Sequence, residues 1–232
     1  MTTTTDRTAE TADVGEARWI RPLVAIAAVL SLLLLGAAGG LLLGLPGSTR
    51  PEPGPVDIGF NQDMTVHHLQ AVEMAGWERD HTTDPVLAQL ATDIERTQNN
   101  QIGQMQGWLA LWEAPALPLG GHMGWMADAP GAHDHTGPPD PATGAVARMP
   151  GMASSAELQA MRAATGPELD VVFLQLMLRH HQGGADMLVY ASEHAAVPQV
   201  RTLAAQMLRA QASETAYLQQ LLHERGGTPL PL

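Results

Sequence analysis

Apolar residues recur every three or four positions along long segments after residue 57, which is the period of amphipathic α-helices. These helices form two hairpins. Asp84-Pro85 and Pro198 mark the break within each hairpin, because Asp caps a helix and Pro suits its first turn. The second helix of each hairpin carries a recurrent apolar face: Leu87, Leu90, Ile94, Met105, Trp108 and Trp112, then Val200, Leu203, Met207, Leu218 and Leu221. Neither hairpin would bury its apolar face alone, so the pattern predicts an all-α fold in which both stack as a four-helix bundle.

An internal repeat relates the two hairpins. Residues 60–112 align without a gap on residues 173–225, at an offset of 113. The aligned pairs include several uncommon residues: Phe60 with Phe173, Gln62 with Gln175, Met64 with Met177, His67-His68 with His180-His181, Met74 with Met187, His81 with His194, Arg96 with Arg209 and Gln98 with Gln211. This agreement indicates a tandem duplication. It places the bundle domain at residues 57–226, after a stiff Pro-rich linker at residues 46–56.

A separate apolar segment lies near the N-terminus. Residues 23–45 contain no charged side chain and exceed the roughly 20 apolar residues that span a bilayer as a helix. Arg18 and Arg21 precede this transmembrane anchor, whereas Arg50 alone follows closely, so the positive-inside rule predicts a cytoplasmic tail over residues 1–22 and an extracytoplasmic main domain. A cleaved signal peptide is the alternative. The length of the segment and the lack of a clean A-x-A site favour the uncleaved anchor.

Charge and cysteine content narrow the chemistry. The formal net charge is −12 with His counted as neutral, and Arg supplies every basic side chain apart from His, which argues against a nucleic-acid partner. The chain has no Cys, so disulfides, zinc-thiolate sites and thiol nucleophiles are excluded. A site for a soft metal ion in this chain must therefore use His and Met.

His and Met residues do fall on one face of the first helix of each hairpin. The predicted ligands are His67, His68, Met64, Met74 and His81 in the first copy, and His180, His181, Met177, Met187 and His194 in the second. Small residues, Ala71 and Gly184, lie in the middle of each stripe and leave room for an ion or a close helix contact. Imidazole binds several transition metals, whereas the thioether of Met favours copper as Cu(I). Core packing alone is the alternative, but two consecutive His pairs favour ligand roles, because a buried imidazole needs partners for both nitrogens.

The segment between the hairpins, residues 113–153, is rich in Pro, Gly, His and Met, and this composition predicts a long loop. Its weaker candidate ligands are His122, Met123, Met126, His133, His135, Met149 and Met152. Such composition is typical of metal capture and equally of a solvated linker. After the loop, Ser154 and Glu157 form a predicted capping box that begins a short helix through about Ala164.

The repeated motifs resemble those of the DUF305 family, which are of the M-x-x-H-H-x-x-A-x-x-M type. Here they read MTVHHLQAVEM and MLRHHQGGADM, with Gly184 replacing the Ala in the second copy, and residues 149–181 also resemble the central segment of that family. The resemblance covers about residues 57–226. It implies a ferritin-like helical bundle, secreted or membrane-anchored, and a role in copper binding and tolerance.

The leading hypothesis is a membrane-anchored binding protein for copper sequestration, delivery or tolerance. The alternatives are a ferritin-like metal-dependent redox enzyme and a structural or partner-binding bundle without metal. Glu78-x-x-His81 resembles the Glu-x-x-His element of di-iron bundles, but Ala191 replaces the Glu in the second copy, which disfavours a di-iron enzyme. A homo-oligomer and a copper-transfer partner remain open.

Overall fold

The structure, a computed structural model, describes residues 20–42, 51–126 and 145–232. These residues form six α-helices and one short 3-10 turn at Gly124–Met126. The helices are α1 (Ile20–Leu42), α2 (Pro55–His81), α3 (Pro85–Leu111), α4 (Ser155–Ala163), α5 (Pro167–His194) and α6 (Pro198–Glu224). Within the described ranges no strand occurs, and the only β-type pairing is an isolated antiparallel bridge between His122 and Val146. The predicted all-α class is confirmed.

Helix α1 forms a unit separate from the rest of the chain. Its segment Pro22–Gly40 has a mean hydropathy of 2.4 and side chains that the protein leaves exposed, so it is long and apolar enough to cross a membrane. A signal sequence has the same properties. The helix begins at Ile20, three residues before the predicted start, and residues 43–45 of the predicted span lie outside the described ranges.

The other helices build the predicted four-helix bundle. Helix α2 packs along α3, α5 packs along α6, and the two hairpins meet where α2 contacts α5. Helix boundaries follow the sequence signals: Asp84 caps α3 by accepting a hydrogen bond from the Val86 amide at 2.8 Å, and Pro85 and Pro198 occupy the first turns of α3 and α6. These two helices have the same length and begin 113 residues apart, which is the offset of the predicted repeat.

Helices α2 and α5 run antiparallel, and buried carboxylates tie their ends together. At one end, Asp57 of α2 accepts hydrogen bonds from the amides of Ala196 and Val197 at 3.0 and 2.9 Å. At the other end, the Thr82 hydroxyl donates to Asp170 of α5 at 2.7 Å. The start of each central helix is therefore held against the end of the other, and the midpoints of α2 and α5 meet at the centre of the bundle.

Two segments outside the four long helices begin at local capping signals: the start of α2 after the linker, and the short helix α4. Residues 46–50 of the predicted linker lie outside the described ranges, and its last two residues already belong to α2, which begins at Pro55 with Gly54 as the N-cap and Asp57 accepting the Gly54 amide at 2.8 Å. Helix α4 confirms the predicted capping box: Ser154 and Glu157 hydrogen-bond each other's backbone amides.

Candidate metal centre

Two histidines from the repeated motifs stack on each other at the centre of the bundle. The rings of His67 on α2 and His180 on α5 have centroids 3.7 Å apart and planes inclined at 36°. Both side chains are buried. A Cβ atom at Gly184 would lie 2.9 Å from Cε1 of His67, so the absence of a side chain there lets the His67 ring lie against the α5 backbone. The middle of each predicted stripe therefore meets the other at the centre of the bundle, and Gly184 provides the space for this contact.

The second histidine of each pair contacts the outer helix of its own hairpin. Nε2 of His68 lies 2.8 Å from Oε1 of Gln101 on α3, and Nε2 of His181 lies 2.7 Å from Oε2 of Glu214 on α6. A carboxylate only accepts hydrogen bonds, so the His181 nitrogen that faces Glu214, Nε2, is the donor. Gln101 and Glu214 were not predicted. They occupy equivalent positions of the repeat, and this shared spacing from each His pair is the signal that would have found them.

Five buried imidazole nitrogens in this His layer, defined as His67, His68, His180 and His181, have no hydrogen-bond partner at normal distance and angle, although backbone groups of Pro150 and His67 lie near His67 and His180. They are Nδ1 and Nε2 of His67, Nδ1 of His68, Nε2 of His180 and Nδ1 of His181. Buried polar atoms are normally paired, so this cluster of free nitrogens needs an explanation. A bound transition metal supplies one, because imidazole nitrogens are its commonest protein ligands. The donor set therefore fits a metal ion.

Burial keeps these imidazoles in the form that binds metal. It lowers the pKa of His67 to about 3, with further lowering by His68 and His181. Burial likewise lowers the pKa of His68 to about 4, and it is the largest cause holding the pKa of His180 well below its ordinary value. These rings are neutral near pH 7, and a lone pair is available for coordination. In the described residues no three His, Asp or Glu side chains already surround one point, so an ion there needs a sulfur ligand or a side-chain adjustment.

The four stripe methionines flank the His layer. Met64 and Met187 belong to the apolar core on one side, and Met74 and Met177 belong to the core on the other. All four are at most 1% exposed. Met64 and Met177 precede the His pairs by one helical turn, a rise of about 4.5 Å. Thioether sulfur is thus available next to the imidazoles on both sides of the layer.

The described parts of the loop add methionines to one of these two sides. Met123, Met126 and Met149 are buried in the same core as Met64 and Met187, and Met152 packs against it. The turn at Pro150-Gly151 lies directly on α5, where a Cβ on Gly183 would overlap its backbone. Residues 121–126 and 145–153 are therefore part of the bundle. His133 and His135 lie outside the described residues.

Asp63 anchors the loop to α2. This buried carboxylate accepts hydrogen bonds from His122 Nδ1, the Met123 amide and Trp125 Nε1, each at 2.7 Å. It holds Met123 in a backbone conformation with φ of 64°, which side-chain-bearing residues rarely adopt. His122 is thereby partnered through one ring nitrogen. The role of Asp63 was not predicted, although it stands on α2 where the second copy has Leu176.

The structure does not bring His81 and His194 to the His layer. They are the last residues of the antiparallel helices α2 and α5, so they lie at opposite ends of the bundle. Each is exposed and stacks on an aromatic ring one turn earlier, His81 on Trp77 at 3.9 Å and His194 on Tyr190 at 4.2 Å. Their Nδ1 atoms donate to the carbonyls of those same residues. The helical period placed them on the stripe, but each lies 14 residues after the central histidine of its own helix, a rise of about 21 Å.

Comparison with known proteins matches this arrangement to one family. The model of the family described as domain of unknown function DUF305 matches residues 57–222, the part of the chain that carries both hairpins and the His layer. The chain belongs to the DUF305 family. The resemblance found in the two His-His motifs is thereby confirmed.

Solved DUF305 structures share the fold. A DUF305 protein from Streptomyces coelicolor, described as secreted, is 38% identical with a TM-score of 0.66, and the match covers 76% of this chain and 98% of that one. CopM in its Cu(I)-bound form is 23% identical with a TM-score of 0.54, over 74% of this chain and 98% of CopM. An uncharacterized protein of Acanthamoeba polyphaga mimivirus is 40% identical over 53 residues, which span 23% of this chain and only 35% of that relative.

Proposed function

We propose that this DUF305 protein is a membrane-anchored, extracytoplasmic metal-binding protein that binds copper, as Cu(I), for sequestration, delivery or tolerance. The observation that carries the proposal is the layer of buried imidazoles with five unpartnered nitrogens between two sets of buried methionines. A purely structural role would leave these nitrogens unsatisfied, at a cost of about 1–3 kcal/mol for each buried polar group.

The chemistry of the donors selects the ion. Thioether and imidazole together are soft ligands, which suit Cu(I) better than the hard cations that carboxylates hold. The side of the layer around Met64 and Met187 is the richer in sulfur, because Met123, Met126 and Met149 from the loop join the same core. His67 and His180 would supply the central imidazoles, and His68 and His181 the outer ones. The fold is also that of CopM, which has been crystallised in Cu(I)-, Cu(II)- and Ag-bound forms.

The proposed location rests on α1. The apolar span Pro22–Gly40, preceded by Arg18 and Arg21, would hold the N-terminus in the cytoplasm and the bundle outside. Copper-binding proteins in that position would intercept the ion before or as it crosses the membrane. The secreted description of the Streptomyces coelicolor relative agrees with an extracytoplasmic bundle.

Competition against a chromophoric Cu(I) chelator tests this function with the full-length chain in detergent. The variant His67→Leu/His180→Leu keeps the core filled and removes both central imidazoles, so it should lose tight Cu(I) binding. The matched control is His81→Leu/His194→Leu, which changes the two exposed histidines of the same helices and should bind as the wild type does. Deletion of residues 127–144, which contain His133 and His135 but none of the core methionines, should matter less than loss of the imidazoles. Tight Cu(I) binding by the His67→Leu/His180→Leu variant, with its helical content intact, would contradict the proposed site.

A further inference from the structure

A groove between α5 and α6 reaches the His layer from outside. It has a volume of about 320 Å³, and its lining includes His181, Ala185, Leu188, Gln211, Ala212 and Thr215. His181, Leu188 and Gln211 are buried and form the inner wall, whereas Ala212 is exposed. The groove therefore runs from the surface to one of the four histidines of the layer.

The inner wall presents polar atoms without partners. Oε1 of Gln211 and Nδ1 of His181 are both buried and make no hydrogen bond, and the whole Gln211 residue is only 7% exposed. Two unpartnered buried polar atoms on one wall of a groove are costly unless something binds there at least transiently. An amide oxygen and an imidazole nitrogen are both ligands for a metal cation.

The charge at this side of the bundle differs from that at the equivalent side of the other hairpin. Glu214 contacts His181 and its side chain is 27% exposed, so its carboxylate faces both the histidine and the solvent. The equivalent residue beside His68 is the uncharged Gln101. A carboxylate attracts a cation from solution, whereas an amide does so far less. The asymmetry of the repeat thus favours the α5/α6 side for the approach of a cation.

We propose that the α5/α6 groove is the access route by which a soft monovalent cation reaches the His layer, with His181 as the first imidazole on the path. This inference rests on the proposed metal-binding function. Glu214 raises the local concentration of the cation, Gln211 offers a transient oxygen ligand, and His181 passes the ion to the central pair His67 and His180.

An access route affects the association and dissociation rates of the cation but not its dissociation constant, and this difference can be tested. Ala212→Phe would fill the mouth of the groove without touching the His layer, and Ala216→Phe, on an exposed position of α6 that does not line the groove, is the matched control. Uptake of acetonitrile-stabilised Cu(I) by the full-length chain in detergent is followed by stopped flow, and release is followed by transfer to excess chelator. We expect Ala212→Phe to slow both association and dissociation about tenfold at an unchanged dissociation constant, as gating of a path does, and Ala216→Phe to change neither.

Wild-type rates in Ala212→Phe would overturn the access route, as would a change in the dissociation constant alone. If Ala212→Phe fails to fold, Glu214→Gln decides, since it reproduces the residue of the first copy. It should slow association several-fold and weaken the dependence of the association rate on ionic strength. An unchanged association rate and salt dependence would overturn the inference. Absence of Cu(I) binding by the wild type would be a different result, because it would refute the proposed function itself.

Discussion

Replacing Glu78 with Gln should make the protein more stable near pH 7. Glu78 is fully buried in α2, and the polar group that its carboxyl faces is the carboxylate of Asp170, at more than normal hydrogen-bond distance. Burial, and then the negative charge of Asp170, raises the pKa of Glu78 from its ordinary 4.5 to about 8, although Arg225 opposes this shift. The folded chain near pH 7 therefore keeps a proton that the unfolded chain releases.

The size of the effect follows from the two pKa values. Because the folded pKa lies above the unfolded one, stability falls as the pH rises from about 4.5 to about 8 and then stays level. Between pH 4.5 and pH 7 this amounts to about 3 kcal/mol, at 1.36 kcal/mol per pH unit. Gln has nearly the shape of the protonated acid and does not titrate. Glu78→Gln should thus gain up to about 3 kcal/mol near pH 7 and almost nothing near pH 4.

Urea denaturation at several values between pH 4 and pH 8, followed by circular dichroism of the full-length chain in detergent, measures this gain. The exposed Glu193 on α5 provides the control variant Glu193→Gln, which should show no comparable rise with pH. The relevant quantity is the difference in unfolding free energy between variant and wild type at each pH. A difference that stays constant between pH 4 and pH 8 would mean that burial does not keep Glu78 protonated.

Three further outcomes are expected. Gly183→Ala would drive a methyl group into the backbone of Gly151 and should lower the unfolding free energy by about 1–3 kcal/mol, which a lower melting temperature would show. An unchanged melting temperature would mean that the turn at Pro150-Gly151 does not pack on α5 as described. The hydrogen bond from Arg179 holds the pKa of Glu157 at about 2, so this pair stabilises the fold above about pH 4.5, and the stabilisation is lost as the pH falls towards 2. Glu157→Gln should therefore lower the free energy of unfolding by about 1 kcal/mol near pH 7, a small value because the pair is partly exposed. A loss of stability that is just as large near pH 2 would argue against this role of the pair. The full-length protein should remain with membranes after alkaline extraction, and a soluble form whose N-terminus lies beyond residue 38 would identify a cleaved signal instead.

The features that the sequence predicted are those that depend on local pattern and symmetry. The apolar period and the prolines at positions 85 and 198 predicted the helices and their ends, because helix capping and Pro geometry act within a few residues. The repeat placed a His pair at the same position in each hairpin, and His67 and His180 meet because α2 and α5 pack antiparallel with their midpoints in contact.

The features that escaped prediction depend on contacts between distant segments. The bond from His181 to Glu214 joins residues 33 apart on different helices, and no periodicity within one helix reports it. The sequence around Asp63 does not distinguish it from other polar residues, because its three hydrogen-bond donors come from residues 122–125, about 60 positions away. His81 has the right angular position on α2, but the rise along the helix carries it beyond the reach of the centre.

The location of copper itself tests the central claim most directly. Crystals of the chain grown anaerobically with Cu(I) would show the ion in an anomalous difference map collected at the copper absorption edge. We expect the strongest peak within the buried His layer, bonded to a ring nitrogen of His67 or His180 and next to a methionine sulfur. Peaks confined to the exposed His81 and His194, or to the loop, with none in the His layer, would contradict it.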